Sequence, residues 1–358
     1  MKRTLQHLLP LMAALSLTAC GGGGSASSDT PDYLPMSVGN RWTYQVTTTS
    51  PLPAQTRQEL RMLDGPVPIN GSPALIWRGA SLSYFPALMW SYTAKTASEL
   101  QNVFDANDGP PFGNLGKLTQ LRLPLRSGDH YLAYDYSGLD LGTDQDGDGI
   151  NETVAIRLSV DVGGAEAVQV PAGNFTNALK VSTQYRYILT YSAGGAPWVV
   201  NTTADEWYVP GLGQIKTTSS TSYSALVNYS SGVSSPAGSS SRDYALTGYK
   251  IDGHSTDTTA PTVTQPTPAS NSTTSNVVEV SLGFSEDMDP YSVTAQTFTV
   301  LDASQHPVSG SFYAVDKRAS LSFSQSLPPG TYTARVNDVT DALGNPLATP
   351  YSWTFNVN

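Results

Sequence analysis

The chain has 358 residues, a formal charge of −10, only 13% charged residues and a single cysteine. The acidic balance excludes nucleic acid and anionic lipid surfaces as partners held by charge. One cysteine cannot form an intrachain disulfide, so stability must come from hydrophobic cores, and the length suffices for two of them. Abundant Ser, Thr, Gly, Tyr and Val is the composition of turn-rich β-structure.

Lys2 and Arg3 form a positive segment ahead of "LLPLMAALSLTA" (Leu8 to Ala19), an apolar run too short to span a bilayer as a permanent helix. Residues 1–19 therefore read as a signal peptide. Its end, Leu17-Thr18-Ala19-Cys20, resembles the lipobox of bacterial lipoproteins. That resemblance implies cleavage before Cys20 and acylation of its thiol and of the new amino group. Removal of Lys2 and Arg3 would leave a mature charge of −12 from the −10 of the full chain. Each buried CH₂ of an acyl chain contributes ~0.8 kcal/mol, so two or more chains would hold the protein on a membrane without spanning it. "GGGGSASSDTPD" has almost nothing to bury and is expected to be a flexible tether with a reach of roughly 20 Å. Gly21 stands where enteric lipoproteins kept in the inner membrane carry aspartate, and this analogy favours the outer membrane.

Residues 33–251 read as one large, mostly antiparallel β domain. Trp42, Tyr44 and Val46 share a strand face, and Val154, Ile156, Leu158, Val160 and Val162 alternate strictly. A helical period is found only in "KTASELQNVFDAN" (Lys95 to Asn107). "YLPMSVGNRWTY", "VQVPAGNFTNALKV" and "EWYVPGLGQIK" resemble segments of poorly characterised bacterial envelope lipoproteins, whose sheets look like a curved half-barrel. This resemblance implies a fold and no mechanism.

Within that domain "DQDGDGINE" is the sharpest chemical signal. Asp144, Asp146, Asp148, the carbonyl of Ile150 and Glu152 reproduce the first part of a calcium loop, an oxygen set suited to Ca²⁺. The twelfth position is Ala155, so the closing glutamate of an EF-hand is missing, and both flanks read as strands. The loop resembles the aspartate-rich turns of thrombospondin type 3 repeats, with Asp140 as a substitute ligand. A structural Ca²⁺ is expected, the alternative being a solvated turn.

A polar linker is expected at residues 252–260. Beyond it Val278, Val280, Leu282 and Phe284 share one face, Tyr332, Ala334 and Val336 another, and Trp353, Phe355 and Val357 a third. Seven short strands over 261–358 predict an Ig-like sandwich. "DTTAPTV", "FSEDMD", "LPPGTYTARV" and "DALGNPL", in that order, resemble the bacterial Ig-like domains of surface-layer proteins, which implies a spacer or adhesion module. An up-and-down reading of the strands gathers Asp257, Glu286, Asp287, Asp289, Asp316, Asp338 and Asp341 at the end facing the first domain.

No G-x-S-x-G elbow, H-E-x-x-H pair or phosphate loop occurs. The expectation is an all-β chain, a curved antiparallel sheet domain followed by a seven-stranded sandwich. It is read as a lipid-anchored, non-enzymatic protein of the cell envelope, a structural, binding or adhesion module at the surface or in the periplasm. Its partner would be the membrane, through Cys20, and a carbohydrate or protein ligand stays open. A carrier of a lipid or other hydrophobic ligand would differ by a deep apolar concavity. A polysaccharide-acting enzyme would differ by two facing carboxylates in a Trp-lined cleft.

Overall fold

The computed structural model describes residues 31–49, 53–83, 89–227 and 234–358. The signal peptide, Cys20 and the tether up to residue 30 lie outside the described residues. No helix among the described residues is long and apolar enough to cross a membrane.

The first domain begins with a meander of β1 (Arg41–Thr49), β2 (Gln55–Ile69), β3 (Ser72–Ser81), β4 (Met89–Lys95), β5 (Glu99–Val103) and β6 (Lys117–Arg122). A second meander runs through β7 (His130–Asp140), β8 (Thr153–Val170), β9 (Gly173–Thr190), β10 (Trp198–Val209) and β11 (Gly213–Tyr223). After the small hairpin β12 (Leu226–Val227) and β13 (Ser234–Ser235), β14 (Gly238–Ile251) pairs with both β11 and β1 and joins the meanders into one antiparallel sheet. The two-residue β15 (His254–Ser255) folds back on β14.

The sheet curls until its outermost strands approach each other. The backbone N–H of Arg122 on β6 donates to the Tyr131 hydroxyl on β7 at 2.8 Å. Leu100 and Leu121 from one end pack in the same cluster as Val160, Leu179 and Tyr208 from the other. Register breaks drive this bending, because an extra residue in one strand kinks it and increases its twist. One such break lies between Asp64 and Val67 of β2, where Gly65 adopts φ +102°, a conformation that glycine alone takes readily.

The segment expected to have a helical period is instead the end of β4 followed by β5, with one 3₁₀ turn at Ala106–Asp108 capped by Asp105. β5 is hydrogen-bonded on both sides, and its Leu100 is buried in the core. Tertiary pairing overrides a local preference that is worth only tenths of a kcal/mol per residue.

The second domain is a sandwich. One sheet has the order β16 (Val263–Thr267), β18 (Glu279–Phe284), β21 (Arg318–Ser322), β20 (Ser311–Val315). The other has the order β17 (Thr273–Thr274), β23 (Tyr351–Val357), β22 (Gly330–Val336), β19 (Phe298–Leu301). The strand beyond the seven expected is β17, two residues paired in parallel with Asn356 and Val357, too short to show any alternation. The chain passes between sheets rather than running up and down one. Phe298, Trp353 and Phe355 fill the middle against Leu282, Met288 and Leu321, and the Trp353 indole N–H donates to the Pro268 carbonyl at 3.0 Å.

This sandwich packs on the outer face of the first sheet. Strand alternation puts Glu59 and Arg61 on the inner face of β2 and Leu60 on the outer one. Leu60, Ala80 and Leu82 are covered by Ala342, flanked by Met62 and Tyr291. The Tyr291 hydroxyl donates to the Gly79 carbonyl at 3.0 Å, the Asp316 N–H donates to the Leu82 carbonyl, and Arg41 pairs with Asp289 at 2.8 Å. Asp289 and Asp316 thus lie at the end of the sandwich that meets the first domain.

Candidate ligand pocket and candidate metal loop

The inner face of the curled sheet holds a pocket of about 510 Å³. Cross-strand register builds it: Trp42 stands opposite Arg61 and Tyr44 opposite Glu59, with Gly79 beside Arg61 on the next strand. β14 adds Tyr244, and the second meander adds Glu206, Tyr208 and Gln214. Leu34, Pro35 and Met36 complete the lining. That segment is tied down by Lys95, whose Nζ meets Asp32 and the Leu34 carbonyl at 2.7 Å.

A connected polar network forms the floor. Glu59 is only 2% exposed; one oxygen accepts from Arg61 Nε at 3.0 Å and the other from Arg57 Nη2 at 3.4 Å. The Arg61 guanidinium lies 4.2 Å from the Tyr244 ring centre and 5.1 Å from that of Tyr44, a cation held between two π faces. Burial works against that charge, but Glu59 and the two tyrosines hold its pKa above the ordinary arginine value. Arg61 Nη1 approaches Gln214 Oε1 at 3.4 Å, and Gln214 Nε2 donates to Glu206 at 2.8 Å. The Tyr208 hydroxyl donates to the other Glu206 oxygen at 2.9 Å. Burial pushes the Glu206 carboxyl above its usual range, while Tyr208 and Gln214 pull it back.

Two carboxylates in a pocket with Trp42 and Trp77 is close to the pattern sought for glycoside hydrolysis. That chemistry needs the acids on either side of a scissile bond. Here both Glu59 oxygens are occupied by guanidinium groups, and Gln214 sits between Arg61 and Glu206. The acids are tied into one network. Nor is the concavity apolar throughout, since its floor is charged.

In the 144–152 loop the structure brings three of the four expected carboxylates together. Asp144, Asp146 and Glu152 each place a carboxylate oxygen within 4.8 Å of the others, the hard-oxygen donor set that Ca²⁺ takes. Glu152 is fully buried and accepts the N–H groups of Gln145 at 2.6 Å and Asp146 at 3.2 Å. Asp144 accepts those of Gly149 and Gly147, which hold its pKa below the usual range. Asp148 is not in this group; the Ser192 hydroxyl bonds its carboxylate at 3.0 Å and the Ile150 carbonyl at 3.3 Å. Asp140 accepts from Gly142 and closes its own turn. Ser192 and Ala193, whose N–H donates to Asp146 at 3.0 Å, come from the β9–β10 turn some forty residues away. No local motif marks them.

A second acidic group lies where the two domains meet. Asp257, Glu286 and Asp341 hold oxygens within 4.8 Å of one another beside a cavity of about 320 Å³ that Thr43, Gln58 and Leu343 also line. Burial, together with the charges of Asp341 and Asp257, pushes the Glu286 carboxyl up to about 7. Asp341 is buried and accepts from the backbone and side-chain nitrogens of Asn345.

The architecture is that of an all-β protein with an inner-face pocket and an appended Ig-like sandwich. Residues 257–357 match the family of bacterial Ig-like domains. No curated protein matches the chain. Among solved structures it is similar to a protein of Parabacteroides distasonis described as a lipoprotein, at 12% identity and a TM-score of 0.34, covering 62% of this chain and 100% of that one. A Bacteroides fragilis protein with a YmcC-like fold, described as exported, aligns at 14% identity and a TM-score of 0.28 over 62% of this chain and 99% of its own. PcoC, a methionine-rich copper resistance protein of Escherichia coli, aligns at 20% identity and a TM-score of 0.24 over 28% of this chain and 100% of its own. At these scores none of the three bears on function.

Proposed function

We propose that the chain is a non-enzymatic binding protein of the bacterial cell envelope, anchored through lipid on Cys20, with the inner face of the curled sheet as its ligand site. The observation that carries this reading is the pocket itself: aromatic walls around a polar floor whose groups are already fixed by one another. Such a mixture of apolar surface and a few oriented polar groups is what small-ligand sites use. The carrier of hydrophobic ligands is less well supported, because an alkyl chain laid on Glu59, Arg61 and Glu206 would strip them of water without a hydrogen bond in return. The Ig-like domain would serve as a rigid spacer, its docking on β1–β3 leaving the opposite face of the sheet free.

Cys20→Ala should move the protein from the detergent phase to the aqueous phase on phase partitioning. Retention of the alanine variant in detergent would overturn the anchoring. The 144–152 loop, in this reading, takes a structural calcium ion through Asp144, Asp146 and Glu152. A site with Kd ~0.1 mM would add about 1.4 kcal/mol at ~1 mM calcium. The melting temperature should rise on adding calcium, and the calcium-dependent increment should vanish in Asp146→Ala. A wild-type melting curve that is the same in calcium and in chelator would leave a solvated turn.

A further inference from the structure

We infer that the inner-face pocket takes a neutral saccharide unit, an inference that rests on reading the chain as a binding protein. Three features of the pocket converge on it. First, its deep charges are compensated from within. Glu59 is paired with Arg57 and Arg61, and Glu206 is held by Tyr208 and Gln214, so the floor asks for no counter-charge. Burial closes Glu59 off, but each Glu206 oxygen has accepted one hydrogen bond and still has lone pairs to offer, and hydroxyl groups are the ligand donors that suit them.

Second, Trp77 lines the pocket and is half-buried, while its neighbour Trp42 is buried with the ring centres 5.3 Å apart. That packing fixes the half-buried indole and makes the surface it keeps toward the pocket a platform for the C–H face of a sugar ring, since an aromatic side chain supplies large apolar area at little entropic expense. Third, the side-chain amides of Asn102 and Gln120 line the same pocket and bond no protein group among the described residues. A primary amide offers two donors and one acceptor. A polyol matches that mixture; an acyl chain does not. Arg242 lines the pocket, is exposed to solvent, and among the described residues its side chain donates only to the Tyr244 hydroxyl at 3.4 Å, so acidic sugars belong in the test as a separate arm.

The detergent-solubilised full chain is titrated with glucose, galactose, N-acetylglucosamine and cellobiose, followed by tryptophan fluorescence and thermal shift. Galacturonate, glucosamine and palmitate form the anionic, cationic and apolar arms. At least one neutral sugar should saturate the signal. Asn102→Ala and Gln120→Ala should each weaken it about tenfold, one hydrogen bond's worth, with unchanged melting of the free protein. Trp77→Ala should remove it; because that variant also loses contact with Trp42, the two amide variants carry the decision if it fails to fold. Saturation by galacturonate, glucosamine or palmitate but by no neutral sugar would overturn the neutral saccharide and leave the pocket as a binding site. Silence of every probe up to about 10 mM, tenfold above a Kd of about 1 mM, would overturn the saccharide and the binding reading together. Binding that survives both amide variants unchanged would place the sugar elsewhere.

Discussion

Arg61→Ala should lower the unfolding free energy by about 3–5 kcal/mol, the range found when one partner of a buried ion pair is removed and the other charge stays behind. Glu59 would keep only the Arg57 contact at 3.4 Å, so the lower end of the range is expected. The cation between Tyr44 and Tyr244 would go, and with it the bridge to Gln214. Urea denaturation should show a lower midpoint with an unchanged slope. Arg61→Met with Glu59→Gln should recover most of the loss, because removing both charges leaves none buried and unpaired. A single alanine variant as stable as the wild type would mean that water reaches Glu59 freely and that the floor of the pocket is not the fixed network described.

Stability should also fall as the pH is raised from 5 to 8, and Glu286→Gln should flatten that slope. Glu286 titrates at about 7 in the folded chain against an ordinary 4.5, so the native state binds its proton more tightly than the unfolded chain does. Its stabilisation is therefore complete below pH 4.5, shrinks as the pH passes through 7 and is lost above it. The full shift corresponds to about 3 kcal/mol, and solvent reaching this half-buried site reduces the effect to about 1–2 kcal/mol. Asp287, also raised by burial although Lys317 opposes the rise, acts in the same direction. Asp257, lowered chiefly by the Thr259 N–H, acts in the opposite direction but only below its ordinary 3.8, outside this window. Thermal melts in chelator at pH 5, 6, 7 and 8 separate the two proteins. Parallel curves for the wild type and Glu286→Gln would show that the three acids between the domains do not share a proton.

Strand faces and local turns were legible in the sequence, whereas the helical period in Lys95 to Asn107 was not a reliable guide. Strict alternation in residues such as Val154 to Val162 and Trp353 to Val357 fixes which side chains face a core, because successive residues of a strand point to opposite faces. "FSEDMD" and "DALGN" marked the Ig-like domain by resemblance to its family, and "DQDGDGINE" marked a turn between strands, because Asp, Asn and Gly close turns through their own side chains or through positive φ. The remainder came from long-range packing. Lys95 to Asn107 became a strand because β4 and β6 supply partners that no local window contains. Ser192 joined the acidic loop from another hairpin and bonds Asp148 there. Glu59, Arg61, Glu206 and Gln214 were unremarkable polar residues until the sheet curled. They lie up to about 150 residues apart in sequence, and burial of their charges exists only once the two meanders have closed around them. Long-range pairing, not local preference, creates the pocket, which is why no spacing in the chain announces it.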